Sequence, residues 1–483
     1  MARLLITAIL FLPWLAHARC LTGDSLSEAV RARLVRDISV LASDSFQGRQ
    51  AGTSGERLAA DYIRQSFAKA GLRPAGDGDT SFYQRFTKTD PVFTRNNRMT
   101  VDGKPLIHRE EFGITALSAN GSCSGLLADA GYGVPFHSEG SAPGPNEPNY
   151  RGKVVLIDLS VPSDAGLKAG TIQTEIWSPA ARLDRALKAG AAGVIFWNDR
   201  NSWFSKLFEF EAAVPDSGIA VFVNQSTARW LRSCVGRQIE ISADVQRVVI
   251  RYRNVIGRTH GDKPGLAIIG AHYDHLGKMG SKIFLGADDN ASGTAGMMEL
   301  ARYYAKRDST GIGFVFIAFA GEEQGLDGSV HYADHPTVPL DSVRFMINLD
   351  MIGRLGCNGN VLYAEAFGSS AGWKEIYRQV APASFRVKRK YAALPFSDHM
   401  PFYRKSFPVV FFNTGTHSDY HRVTDTPDRI NYNGMTEIIR YLDRFITEAG
   451  SRNISYRKVP ALTQGFAYLS QVMMMLDWAL TID

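Results

Sequence analysis

Two adjacent carboxylates, Glu322 and Glu323, stand at the end of the apolar run Phe314-Val-Phe-Ile-Ala-Phe-Ala. Folding gives no reason to place two acids side by side there; they repel, and a cation or a shared proton is needed to resolve the conflict. Matching groups recur along the chain. His272 follows Leu266-Ala-Ile-Ile-Gly-Ala, and Asp350 follows Phe345-Met-Ile-Asn-Leu. Asp288-Asp289 lies in Gly286-Ala-Asp-Asp-Asn-Ala-Ser-Gly, just before a helical segment, and His421 lies in Asp419-Tyr-His-Arg-Val-Thr-Asp-Thr, after Val409-Val-Phe-Phe. One such residue at a strand end is ordinary. Several Asp, Glu and His at strand ends form the donor set of a metal site. Imidazole and carboxylate without thiolate suit a hydrolytic Zn²⁺ site, which Mn²⁺ or Co²⁺ would also fit. Five ligands are more than one catalytic zinc needs, whereas two ions bridged by a carboxylate would use them all.

The elements around these residues must deliver them to one place. From about residue 251 to 450 the pattern is strand, loop, helix, repeated, and the strands are continuous apolar runs. That predicts an α/β fold with a mostly parallel central sheet sandwiched by helices. In such open sheets ligands bind beyond the carboxyl ends of the strands, where His272, Glu322, Glu323 and Asp350 fall. Residues 19–119 read as an N-terminal part of the same domain. Within it, Thr53 and Glu56 have capping-box spacing, and an apolar stripe from Leu58 to Ala70 predicts a helix ended by Gly71. Residues 120–250 carry their own strand patterns, Lys153-Val-Val-Leu-Ile-Asp, Val194-Ile-Phe-Trp and Ile219-Ala-Val-Phe-Val, and none of the ligand motifs. They read as a β-rich inserted domain. Residues 451–483 form a C-terminal tail, whose apolar stretch Phe466 to Ile482 is read as a helix packing on the body.

Composition sets outer bounds. The chain has 483 residues, 45% hydrophobic and 21% charged, with a formal net charge of +6. Its densest basic run, Arg386-Val-Lys-Arg-Lys, reads as a solvated loop or helix face, so no nucleic-acid partner is expected. Residues 1–18 have the form of a secretory signal: Arg3, an apolar stretch Leu4 to Leu15, and Ala16-His17-Ala18 as a cleavage site. The stretch is too short for a stable membrane span. The mature protein is expected in the periplasm or outside the cell, where its four cysteines could pair; Cys123 with Cys234 is the preferred pairing.

Taken together, His272-Tyr-Asp274, Gly286 to Gly293, Gly321-Glu-Glu-Gln-Gly-Leu-Asp-Gly-Ser, Asn348-Leu-Asp-Met-Ile-Gly and Tyr420-His-Arg-Val-Thr-Asp-Thr occur in the order seen in co-catalytic zinc aminopeptidases. The chain resembles that family, which includes glutamate carboxypeptidase and the transferrin receptor ectodomain. Leu41-Ala-Ser-Asp, Gly48-Arg and Gly52-Thr-Ser-Gly-Glu look like its N-terminal segment, and Ser397-Asp-His-Met-Pro-Phe-Tyr looks like another of its blocks. The insert is similar to a protease-associated domain.

The resemblance implies that His272 and Asp350 bind one zinc, Glu323 and His421 the other, and that Asp289 bridges them, with Asp288 as fallback. It implies Glu322 as general base, Tyr420 as donor to a developing oxyanion, and Asp274 as acceptor of the His272 N–H. His417 is the competitor to His421, set aside because Asp425-Thr426 follows His421 as in the family. His275 and His399 read as surface or packing residues, and Arg354 as half of an ordinary salt bridge. The expected activity is removal of N-terminal residues from peptides with a free N-terminus. A carboxypeptidase or dipeptidase, a glutaminyl cyclase-like enzyme and a non-enzymatic receptor-like protein are the alternatives.

Overall fold

The structure, a computed structural model, describes residues 23–460 apart from 79, 94–95, 109, 116, 135–148, 161–176, 199–217, 262, 280–281 and 308–310. The signal-like segment and the apolar tail therefore lie outside the described residues.

Nine strands form the central sheet, in the order Arg73–Pro74, Val245–Arg258, Gly313–Phe319, Leu266–His272, Val343–Leu349, Val409–Asn413, Val361–Glu365 and Arg386–Arg389, with Tyr83–Phe93 paired to Val245–Arg258. The four middle strands, Gly313–Phe319 to Val409–Asn413, are mutually parallel. They are apolar at successive positions because helices cover both faces. Gly23–Leu41, Ser54–Ala70, Gly293–Tyr304 and Tyr432–Gly450 build the core on one face, and Asp327–Asp334 and His399–Arg404 pack on the other. The predicted cap forms at Thr53, whose hydroxyl accepts from the Glu56 amide, and Gly71 ends the helix at a φ of 90°. The basic run Arg386–Arg389 is an edge strand parallel to Val361–Glu365, rather than a loop or helix face. Lys390 beside it pairs with Glu365 at 2.8 Å.

A second sheet of eight strands runs in the order Lys104–Pro105, Arg98–Val101, Gln238–Ala243, Gly121–Asp129, Lys153–Asp158, Gly193–Trp197, Ile219–Val223 and Phe112–Ile114. It takes in three short strands that precede residue 120. They carry little pattern of their own; two pair with distant strands, as Met99 does with Ile241 and Phe112 with Val223, and Lys104–Pro105 pairs with Arg98–Val101. Val245–Arg258 belongs to the central sheet, so the chain leaves the second sheet at Ala243. Cys123 and Cys234 are both free, contrary to the preferred pairing. They pack on one core, yet the Cys123 thiol lies over Gly193, where an added Cβ would come within 2.5 Å of Sγ. A disulfide needs directed Cβ vectors, which position in the sequence does not supply. Among the described residues no helix is long and apolar enough to cross a membrane.

Candidate metal centre

The parallel strands Leu266–His272, Gly313–Phe319, Val343–Leu349 and Val409–Asn413 all end at one edge. His272 is the last residue of its strand and lies in register with Phe319; Leu349 lies in register with Phe412. Asp350 and the Glu322-Glu323 pair follow within four residues of their strand ends, so backbone register alone brings three motifs together. The turn Ala287–Ser292 adds Asp289 from the mouth of the following helix. Asn290 fastens this turn to the Asp350 strand: its Nδ2 donates to Leu349 O at 3.0 Å, and its Oδ1 accepts from Met351 N at 3.1 Å. The approach is close enough that a Cβ on Gly293 would meet Leu349 O at 2.3 Å.

Asp289 lies between two groups of donors. Its Oδ1 is 3.5 Å from His272 Nε2, which is 3.2 Å from Asp350 Oδ1. Its Oδ2 is 2.9 Å from His421 Nε2, which is 3.3 Å from Glu323 Oε1. All five expected ligands therefore meet, with Asp289 central. Asp288 points elsewhere: it accepts from Gly353 N at 2.7 Å and faces His417 Nε2 at 3.0 Å. That contact also removes His417 from the ligand set. Glu322 Oε2 stands 3.9 Å from His272 Nε2. Tyr420 stacks on the His421 ring, with centroids 3.6 Å apart. His399 is buried against Phe411 as a packing residue, and Arg354 forms a salt bridge with Asp419 at 2.7 Å.

The supporting contacts differ from expectation at Asp274. His272 Nδ1 faces the Asp274 carbonyl oxygen at 3.3 Å, while the Asp274 carboxylate is 3.8 Å away. That carboxylate instead accepts from the amides of Glu322 and Glu323, at 3.1 and 3.3 Å. The carbonyl fixes the imidazole with its proton on Nδ1 and its lone pair on Nε2, while the carboxylate holds the turn that presents both glutamates. Asp350 Oδ2 accepts from Ser397 Oγ at 2.8 Å. Asp425, four residues after His421, accepts from the amides of both Asp288 and Asp289. His421 itself sits at a φ of 56°, a conformation that a side chain other than glycine tolerates only where its surroundings enforce it.

Sequence reasoning missed two residues. Arg49 is fully buried and donates to the carbonyl oxygens of Leu41, Tyr273, Leu285 and Gly286, joining the N-terminal segment to both loops that flank the site. Its only sequence signal is membership in Gly48-Arg49. His275, read as surface or packing, is buried with Nδ1 2.9 Å from Glu323 Oε1.

The electrostatics call for cations. Burial alone would depress His272, yet Asp350 and Glu322 carry the imidazole well above its ordinary value. Burial raises Glu322 far above the carboxyl range; His272 opposes this, while Glu323, Asp350 and Asp398 add to it. Asp274 is pushed up to about 6, chiefly by burial. Tyr420 is raised by burial and by Asp289, Glu323, Glu322 and Asp350, so its hydroxyl keeps its proton. His272 Nε2 and Asp350 Oδ1 are buried and complete no well-aligned hydrogen bond. Buried nitrogen and oxygen atoms left this way, at ligand-like spacings, fit divalent zinc.

A mixed sheet with a parallel centre, carrying this donor set at the carboxyl edge of its parallel strands, is the zinc-exopeptidase fold. The model of Peptidase family M28 matches residues 254–446, the stretch that carries the site. Over 391 residues the chain is 26% identical to an aminopeptidase of Pseudomonas aeruginosa (strain UCBPP-PA14), covering 78% of this chain and 65% of that one. It thus spans less than two thirds of that relative's length. Over 413 residues it is 29% identical to aminopeptidase YwaD of Bacillus subtilis (strain 168), covering 83% and 79%. The fold is similar to BSAP, a zinc aminopeptidase from Bacillus subtilis, with a TM-score of 0.59 at 21% identity, over 89% of this chain and 97% of that one.

Proposed function

We propose that the protein is an exported aminopeptidase that works with two zinc ions. The observation that carries this reading is the position of Asp289, with one carboxylate oxygen toward His272 and the other toward His421. His272 and Asp350 would hold one ion, Glu323 and His421 the other, and Asp289 would serve both. When bound, the ions supply Lewis acidity and a water that ionises near neutral pH.

The side chains do the rest. Glu322 takes a proton from the attacking water and delivers it to the leaving amine. Tyr420 donates its hydroxyl proton toward the oxygen that gains charge at the scissile carbonyl. The carboxylates, Glu322 among them, hold the free α-amino group of the substrate and confine cleavage to the first residue. The second sheet, similar in sequence to a protease-associated domain, would restrict access to short peptides. Export rests on the signal-like residues 1–18.

A carboxypeptidase would need a cation for the substrate carboxylate. Arg354, the candidate near the site, is engaged with Asp419. A panel of aminoacyl-p-nitroanilides, assayed with a chelator and after Zn²⁺ restoration, tests the proposal. Zinc-restored release is expected. No release from any member, with two zinc ions bound, would contradict it and favour acidic dipeptides or cyclisation.

A further inference from the structure

The two halves of the centre differ in their number of donors. Around His272, two further ligand atoms converge: Asp350 Oδ1 at 3.2 Å and Asp289 Oδ1 at 3.5 Å. Around Glu323 the count is higher. His421 Nε2 lies 3.3 Å from Glu323 Oε1 and 2.9 Å from Asp289 Oδ2. His275 Nδ1 lies 2.9 Å from the same Glu323 oxygen and 3.7 Å from the same Asp289 oxygen. Zinc bonds of about 2.0–2.2 Å at tetrahedral angles separate ligand atoms by about 3.3–3.5 Å. The His275 spacings bracket that value as those of His421 approach it from below.

The His275 ring is held for this orientation. Its backbone amide donates to Arg49 O at 3.3 Å. Gly286 leaves the space the ring fills: a Cβ there would lie 2.5 Å from His275 Cδ2. His275 Nε2 is buried and has no hydrogen-bond partner, so Nδ1 is the ring nitrogen turned toward the carboxylates.

We propose that His275 is a fourth protein ligand at the Glu323 position. The inference rests on the two-ion reading above. Four protein donors close that position, as in sites that hold an ion for structure, whereas three at the His272 position leave its ion a place for water or the scissile carbonyl. The centre then has a tightly held ion on the Glu323 side and an exchangeable, substrate-facing ion on the His272 side.

The test is metal titration of the full chain against a competing chromophoric chelator, with Zn²⁺ for affinity and Co²⁺ for its absorption bands. Wild type is expected to bind two ions in a tight and a weaker step. His275→Ala and His275→Asn should both lower the affinity of the tight step at least 10-fold, weaken its Co²⁺ bands, and leave the second step within about twofold. His275→Asn keeps an amide N–H where Nδ1 stands and so keeps a donor for Glu323. Wild-type affinity in that variant would overturn the ligand assignment and leave His275 as a hydrogen-bond donor. No change in either variant would overturn it as well. Thermal melts of the metal-free proteins separate loss of a ligand from loss of fold. Fewer than two ions in wild type would instead overturn the two-ion reading itself.

Discussion

Each of the two sheets contains four parallel strands, and each places acids at the carboxyl ends of those strands, yet the acids behave differently. In the second sheet, Asp129 ends one strand and accepts from Gly131 N at 2.9 Å, with Arg232 on its other oxygen at 3.2 Å. Asp158 ends the next strand and accepts from Ser160 N and Ser160 Oγ, at 2.9 and 2.7 Å. Both acids accept from an amide two residues on and close the turns they begin, and the one distant partner, Arg232 on Asp129, is a cation rather than another acid. In the central sheet, Asp350, Asp289 and Glu323 meet one another and two or three imidazoles across strands far apart in sequence. A strand-end acid satisfied locally is a cap; one satisfied only by distant groups of the same kind is a ligand.

This contrast sets the order of expected effects. Glu322→Gln should be the largest that leaves the metals in place: kcat down by about 10²–10⁴-fold, with two zinc ions retained by elemental analysis. Wild-type kcat in this variant would remove Glu322 as the base. Asp274→Asn should be intermediate. It unsettles the turn that presents Glu322 and Glu323, and metal affinity should fall about 10–100-fold in a chelator competition. Unchanged affinity would mean that the two amides hold the turn without their acceptor. Asp158→Ala should be the smallest. A denaturant melt should show a loss of about 1 kcal/mol from its turn, while metal content and turnover stay at wild-type values. A loss of zinc there would erase the distinction between the sheets.

Much of the centre was legible because apolar runs mark the strands, and the residue after such a run lies at the sheet edge. His272, the Glu322-Glu323 pair and Asp350 could be placed together on that ground. The choice of Asp289 over Asp288 needed the family pattern, and the geometry accounts for it: Asp288 is occupied by Gly353 and His417. What could not be read depends on atoms brought close only by the tertiary fold. His275 follows Asp274 directly, yet its direction is set by Gly286 and Arg49. The Asp274 carboxylate found backbone amides that carry no mark in the sequence. Two of the three short strands before residue 120, Arg98–Val101 and Phe112–Ile114, were obscure for the same reason, since they pair with strands more than a hundred residues away.

The central claim is that Asp289 serves two ions at once. Zinc binding to wild type and to Asp289→Asn, followed by titration against a competing chelator, tests it most directly. Two ions in wild type and weakened binding at both steps in the variant are expected. A variant that loses one step and keeps the other at wild-type affinity would contradict the bridge and return the role to Asp288.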